Sequence, residues 1–480
     1  MNISIARRLI NMAIVMLFMF APYVIPVPDF LTEAGFKVLG VFLGCIYGWI
    51  TLGIVGTSFL GTIMLGIAPG MTVQGVMQLG FGGETFMLVL FFAAFAGILE
   101  QVNLGEWIAN CVLGLRFSHR GPWPLSFALL LMAYCTAFVT SIMPGILISW
   151  GVLASICELC GFKRGDMWPK TMVVGIVLAC CVGHSAWPIE VLSFTLLGIY
   201  GSFGLPSINY LAFTMLNVFI GMSSMGLFVV AVKVFLKPNV ANLASVCANS
   251  PEPVRLSKDQ KHVLMIAVVF FAALFLPGAF PDAGGIVGVL KSIGNTGCAA
   301  IVLALAAIVR KRDGSALIDI ASAIRDGVPW ESLILIACAM PLSAALTSDV
   351  TGLMPLFQRA FGALFGGLNG QIAFSIVFVA LIVALTNVMG NITVGVVMMP
   401  ILCSFGPAFG ADASMLTVVM CIACNAALLL PSGGPTAALL HGNRDWFDGP
   451  RGIYALSALA VAAFFIATVA AMGTLGQILF

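Results

Sequence analysis

Thr386-Asn387-Val388-Met389-Gly390-Asn391 sits in the middle of an apolar stretch, 371–406, and breaks it with a hydroxyl, two amides and a glycine. The stretch is too long for one membrane helix of about 20 residues and too short for two full spans with a loop. It therefore reads as a re-entrant hairpin with this polar segment at its tip. Unwound backbone at membrane depth is tolerated only where it is buried in protein or lines a cavity. The first half carries the same device, because the stretch 124–160 is broken by Thr140-Ser141-Ile142-Met143-Pro144-Gly145. Each half also has an interrupted apolar run, at His184-Ser185-Ala186-Trp187-Pro188 within 171–203 and at Pro431-Ser432-Gly433-Gly434-Pro435-Thr436 within 413–441. Gly390 follows Thr140 by 250 residues and Pro435 follows Pro188 by 247; Asp349 follows Glu100, also at the end of an apolar run, by 249. Interruptions in corresponding places of two halves point to the binding site of a secondary transporter.

Composition agrees. Of 480 residues 61% are hydrophobic and only 8% charged, against about 25% charged in soluble domains. The net charge of +2 gives no electrostatic footing for nucleic acid. Hydropathy places spans at roughly 9–26, 36–52, 53–69, 84–101, 171–203, 207–235, 262–280, 289–309, 332–349, 413–441 and 452–475. The fold expected is an all-α polytopic membrane protein with about 11 transmembrane helices, two re-entrant hairpins and two inverted-topology repeats. Residues 1–35 form an N-terminal transmembrane helix, 36–235 the first repeat, 236–261 a polar cytoplasmic linker and 262–480 the second repeat. Each unit has an odd number of spans, which inverts the second relative to the first. Arg7-Arg8 precede an apolar run without a small-residue cleavage site, so that run is expected to be retained.

The expected inner loops hold Arg116 and Arg120, Lys163 and Arg164, Arg255, Lys258 and Lys261, Arg310, Lys311 and Arg312, and Arg444 and Arg451. Arg359 is the one outer exception. This bias predicts an inner (plasma) membrane protein with a cytoplasmic N-terminus and an external C-terminus. The thirteen Cys are scattered, mostly through apolar stretches, and predict neither a disulfide framework nor a thiol metal site.

At each break the carbonyls that end one half-helix suit a hard cation, and the N–H groups that open the next suit an anion. Pro144, Pro188 and Pro435 are expected to open those following half-helices. Thr136, Thr140 and Ser141 supply oxygens in the first hairpin; Thr386, Asn387 and Asn391 supply them in the second. No Lys or Arg is expected at the midplane, so an anionic substrate needs neutralising by helix dipoles and co-bound cations. His184 reads as a proton carrier, a hydrogen-bond donor to a carboxylate, or a neutral ring bonded to an unwound carbonyl. Glu190 and His441 flank the breaks and read as structural groups nearer the interface. Trp187 either stacks on a substrate or plugs the bundle, and both readings stay open.

These motifs resemble the divalent anion–sodium symporter family of the ion transporter superfamily, over essentially the whole chain. Ala426-Ala427-Leu428-Leu429-Leu430-Pro431-Ser432-Gly433-Gly434-Pro435 is similar to that family's segment ending in Thr-Pro-Pro. Gly390-Asn391-Ile392 and Thr140-Ser141-Ile142 stand where the family has Ser-Asn-Thr, and Thr136 and Thr386 precede them by one helical turn. The resemblance implies two sodium sites, using Thr136, Thr140, Ser141, Thr386, Gly390, Asn391 and Gly433. It implies substrate contacts at Ile142, Ser185, Trp187, Pro188, Ile392, Gly434, Pro435 and Thr436. It also implies a homodimer in lipid that moves a small organic anion by an elevator motion, with sodium as co-transported ion and no cofactor. Ile142 and Ile392 replace threonines and Ser141 an asparagine, which points away from an ordinary succinate-type dicarboxylate. Proton coupling through His184 is the rival within the transporter class. A membrane enzyme lacks support, since neither His-Glu-x-x-His nor Gly-x-Ser-x-Gly occurs. A channel is the third alternative, because broken helices also build filters.

Overall fold

The computed structural model describes residues 5–102, 104–163, 165–188, 190–243, 256–280, 282–308, 310, 318–353, 355–356, 359, 370–443, 446–447 and 449–480. The linker's 244–255 and the basic residues Arg164, Arg255, Lys311, Arg312 and Arg444 lie outside them. Among the described residues the regular elements are all helices, as expected of apolar chain that must pair its backbone groups internally.

The first half runs α1 (Ile5–Phe20), α2 (Glu33–Thr51), α3 (Ile54–Gly66), α4 (Val73–Phe81), α5 (Glu84–Gln101), α6 (Leu104–Leu113), α7 (Pro122–Val139), α8 (Ile142–Cys160), α9 (Met167–His184), α10 (Val191–Ser202) and α11 (Tyr210–Ala231). The second runs α12 (Lys258–Ala279), α13 (Ile286–Ile308), α14 (Ile320–Gly327), α15 (Trp330–Thr347), α16 (Gly370–Thr386), α17 (Asn391–Phe405), α18 (Ala413–Cys424), α19 (Pro435–Gly442) and α20 (Pro450–Ala471).

Eleven described helices are long and apolar enough to cross a membrane. The count matches the expectation, but the membership differs. Both arms of the first hairpin, α7 with 18 residues and α8 with 19, are long enough to span. The expected spans 53–69 and 413–441 instead contain helices of 13 and 12 residues. Pro69-Gly70 follows the end of the first, and Asn425 caps the second in a turn.

Only Pro435 opens its helix, at the first position. Pro144 is the third residue of α8, and Pro188 precedes α10 by three residues. The first turn of a helix leaves its N–H groups unpaired, so a proline fits anywhere within it and the residue type alone does not fix the start.

Two apolar cores result. The larger joins α1–α3, α7–α11 and α15–α20; the smaller is built on α5, α12 and α13 with parts of α14 and α15. α10 packs on α17 and α15 from the second half and on α5, so it lies where the two cores meet.

Candidate functional site

A cavity of about 340 Å³ opens at that junction. Thr140 and Ser141 reach it from the first tip, Asn391 and Ile392 from the second, and His184 and Glu190 from the two ends of the first break. The opposite wall is Phe92, Ala93, Ala96 and Gly97 of α5 with Gly327, Pro329 and Ser332. No Lys or Arg is among the described residues lining it. A larger cavity of about 500 Å³ lies further along α10, lined by Tyr200, Asn209, Tyr210 and Asn295, but no break residue reaches it. Phe194 stands between the two, stacked on Phe92 with centroids 4.6 Å apart and 6.4 Å from the Tyr210 ring.

The first break is built from the end of α9. A Cβ on Gly183 would lie 2.5 Å from the Tyr134 carbonyl oxygen, so only glycine lets α9 approach α7 this closely. That contact brings His184 Nδ1 to 3.4 Å from the Ala137 carbonyl, beside the first hairpin tip. Ser185 ends the helix by donating to the Cys181 carbonyl, and its own carbonyl accepts from Asn217. The chain then runs extended at Glu190, a residue 7% exposed. Asn425 Nδ2 donates to Glu190 Oε1 at 2.8 Å, and Ser193 Oγ donates to Oε2 at 3.2 Å.

The second break, residues 425–434, starts earlier than its prolines suggest. Leu428 and Leu429 are non-helical, and their backbone N–H groups both donate to Asn387 Oδ1, at 2.9 and 2.7 Å. Asn387 Nδ2 donates to the Val383 and Ala426 carbonyls, and Thr386 Oγ1 to the Cys424 carbonyl. One asparagine thus pairs the backbone of an apolar segment that has left the helix. Gly433 closes the arrangement: a Cβ there would lie 3.0 Å from the Thr386 carbonyl oxygen and 3.3 Å from Asn387 Cα.

A broken-helix cavity of this kind asks for comparison with known carriers. The profile described as citrate transporter (CitMHS) matches residues 6–424. The chain belongs to the citrate transporter family. The family lies in the superfamily indicated by the tip motifs, and it makes the chain a transporter of an anion rather than an enzyme. Two solved transporters are similar in fold. One is Alcanivorax borkumensis YdaH, described as having an unusual topology, with TM-score 0.61, 14% identity and 98% of each chain covered. The other is Neisseria gonorrhoeae MtrF, described within a class of antimetabolite efflux pumps, with TM-score 0.54, 14% identity, 98% of this chain and 95% of that one. Comparison with curated proteins gives no match.

In this citrate transporter family member the expected site residues fall into two groups. Thr140, Ser141, His184, Asn391 and Ile392 line one cavity. Thr136 lies one turn behind the first tip, fully buried, its hydroxyl without a hydrogen-bond partner. Ile142 opens α8 and packs on the larger core, and Gly390 is exposed just before α17. Ser185 and Pro188 are buried within the first break. Trp187 is 4.4 Å, centroid to centroid, from both Phe138 and Phe271. Thr386 and Gly433 sit under the second tip, while Gly434, Pro435 and Thr436 start α19, which packs on α9. His441 Nε2 lies 3.1 Å from the Leu428 carbonyl. Sequence reasoning set Glu190 aside as structural and missed Asn425 and the bracing by Asn387. Asn425 offered a signal, an amide enclosed by the apolar runs 413–424 and 426–430, where a polar group is costly unless paired.

Proposed function

We propose that the chain carries a citrate-class organic anion together with sodium, in an elevator motion of the hairpin-bearing helices against the core built on α5, α12 and α13. The wall of the cavity carries this reading: hydroxyls and amides from both tips, one carboxylate, one histidine, and no described Lys or Arg. A substrate carboxylate about 5 Å from an ionised Glu190 is repelled by roughly 3 kcal/mol at an effective dielectric constant of about 20. Something that enters with the anion has to offset that repulsion, and a cation does so. The buried, unpartnered Thr136 hydroxyl next to the unwound Thr140 and Ser141 supports a sodium position at the first tip. Asn391 and Gly390 supply the second. The recurrence of helix, tip, helix, helix, break, helix in both halves supports inverted repeats. The Phe194–Phe92 stack supports a sliding surface between the two cores. Gly327 and Pro329 follow the Arg310 segment that the charge bias puts inside, which supports a cavity open toward the cytoplasm. A homodimer in the plasma membrane completes the reading.

Proton coupling is the second reading, favoured by His184 and Glu190 lining the same cavity. Uptake of labelled citrate into proteoliposomes separates the two. Sodium coupling predicts saturable accumulation driven by an inward sodium gradient at equal pH, lost in choline. Accumulation that follows a pH gradient and ignores sodium replaces it with the proton reading. No accumulation of citrate or other carboxylates under either gradient ends the proposal.

A further inference from the structure

The Glu190 carboxylate is the start of a hydrogen-bonded chain that crosses from one half of the molecule to the other. Asn425, 4% exposed, spends both amide hydrogens on the first half, one on Glu190 Oε1 at 2.8 Å and one on Ser185 Oγ at 2.6 Å. Its oxygen therefore turns away, and accepts from Asn391 Nδ2 at 2.7 Å. Asn391 Oδ1 in turn accepts from the backbone N–H of Ile392 at 2.9 Å, in the first turn of α17. Both ends of the chain, Glu190 and Asn391, line the cavity. The other titratable groups facing Glu190 among the described residues are His184 and the thiols of Cys181, Cys421 and Cys424.

We infer that Glu190 is a positioning residue: acting through Asn425, it fixes which face of the Asn391 amide the second hairpin tip presents to the transported anion. The inference rests on the proposed function for the identity of the solute. An ionised carboxylate only accepts hydrogen bonds, whereas an amide accepts at one end and donates at the other. A carboxylate at position 190 thus forces the NH₂ of Asn425 toward itself, and the direction of each following bond is set. A glutamine there can be turned either way, so it fills the same space without dictating direction. After these bonds Asn391 keeps one N–H and one oxygen lone pair for a solute.

The test swaps the ends of the pair in reconstituted full-length protein, with citrate as the probe. Asn425→Ala removes the link without changing the charge near the solute, and is expected to raise the citrate KM about tenfold with kcat within about threefold, the pattern of lost uniform binding. The double variant Glu190→Gln with Asn425→Asp restores one donor and one acceptor in a fixed order, and is expected to return KM to within about threefold of wild type. An unchanged KM in Asn425→Ala, or a double variant no better than Asn425→Ala, overturns the inference. A purely scaffolding role would lower Tm in these variants while leaving KM unmoved. A second readout does not need transport, namely the infrared difference between wild type and Glu190→Gln. An ionised carboxylate band that shifts on Asn425→Ala supports the relay; a protonated carboxyl band, or no shift, overturns it. If wild-type protein moves no carboxylate, the functional reading falls while the infrared result still decides the relay.

Discussion

The two hairpin tips occupy corresponding places in the two halves, yet they are fastened differently. The second is laced to its neighbouring break by side chains: Asn387 holds two N–H groups and the Ala426 carbonyl there, Thr386 the Cys424 carbonyl, and Asn391 the Asn425 oxygen. The first tip has Ala137 where the second has Asn387, a buried Thr136 hydroxyl with no partner, and a Thr140 hydroxyl that returns to its own helix at the Thr136 carbonyl. The second tip is consequently braced by most of its polar groups, with one N–H and one lone pair of Asn391 left over, whereas the first keeps a whole buried hydroxyl unpaired. A buried polar atom without a partner is costly, and a bound cation would meet that cost. The contrast is between a tip braced by side chains and one that keeps a buried hydroxyl unpaired.

Removing the brace is expected to have the largest effect. Asn387→Ala leaves the Leu428 and Leu429 N–H groups unpaired inside the protein, at about 1–3 kcal/mol each. Loss of monodisperse, folded protein in detergent is the expected outcome. A well-folded variant with wild-type uptake would break the contrast.

The threonine pair sharpens it. Thr386→Val loses a bond to the Cys424 carbonyl and is expected to cost about 1–2 kcal/mol, read as a lower Tm in sodium and in choline alike. Thr136→Val removes a buried hydroxyl that bonds nothing, so in choline the Tm should be no lower than that of wild type, with stability up by as much as about 1 kcal/mol. The sodium concentration for half-maximal uptake should instead rise about tenfold. Equal sodium dependence in wild type and Thr136→Val would remove the ion role from the first tip.

The smallest effect concerns Trp187. Its ring is held between Phe138 and Phe271, so Trp187→Phe should cost about 1 kcal/mol of packing and leave the citrate KM within about twofold. A selective rise in KM would mean that the ring meets the solute after all.

Much of this molecule was legible in its sequence. The helical class, the approximate span count and the helix breaks after Val139 and Thr386 followed from long apolar runs with polar interruptions, because hydrocarbon leaves backbone groups no partner except each other. Thr140, Ser141, His184 and Asn391 were readable as candidates from the interruptions and Ile392 from the family resemblance, and the structure gathers all five around one cavity. The second break was misjudged in extent because Ala426 to Leu430 are apolar, and hydropathy measures side chains rather than whether the backbone is wound.

The sequence by itself determined that the chain is a bundle of membrane helices with two interrupted pairs. Only the tertiary structure decided that Asn387 pairs an unwound apolar segment, that Glu190 faces the cavity rather than the interface, and that Asn425 connects it to the second tip. Partners 235 and 41 residues apart meet through packing of helices from different parts of the chain. Local pattern records which residues are polar, but the direction in which a buried amide or carboxylate spends its hydrogen bonds is set by what the fold brings against it.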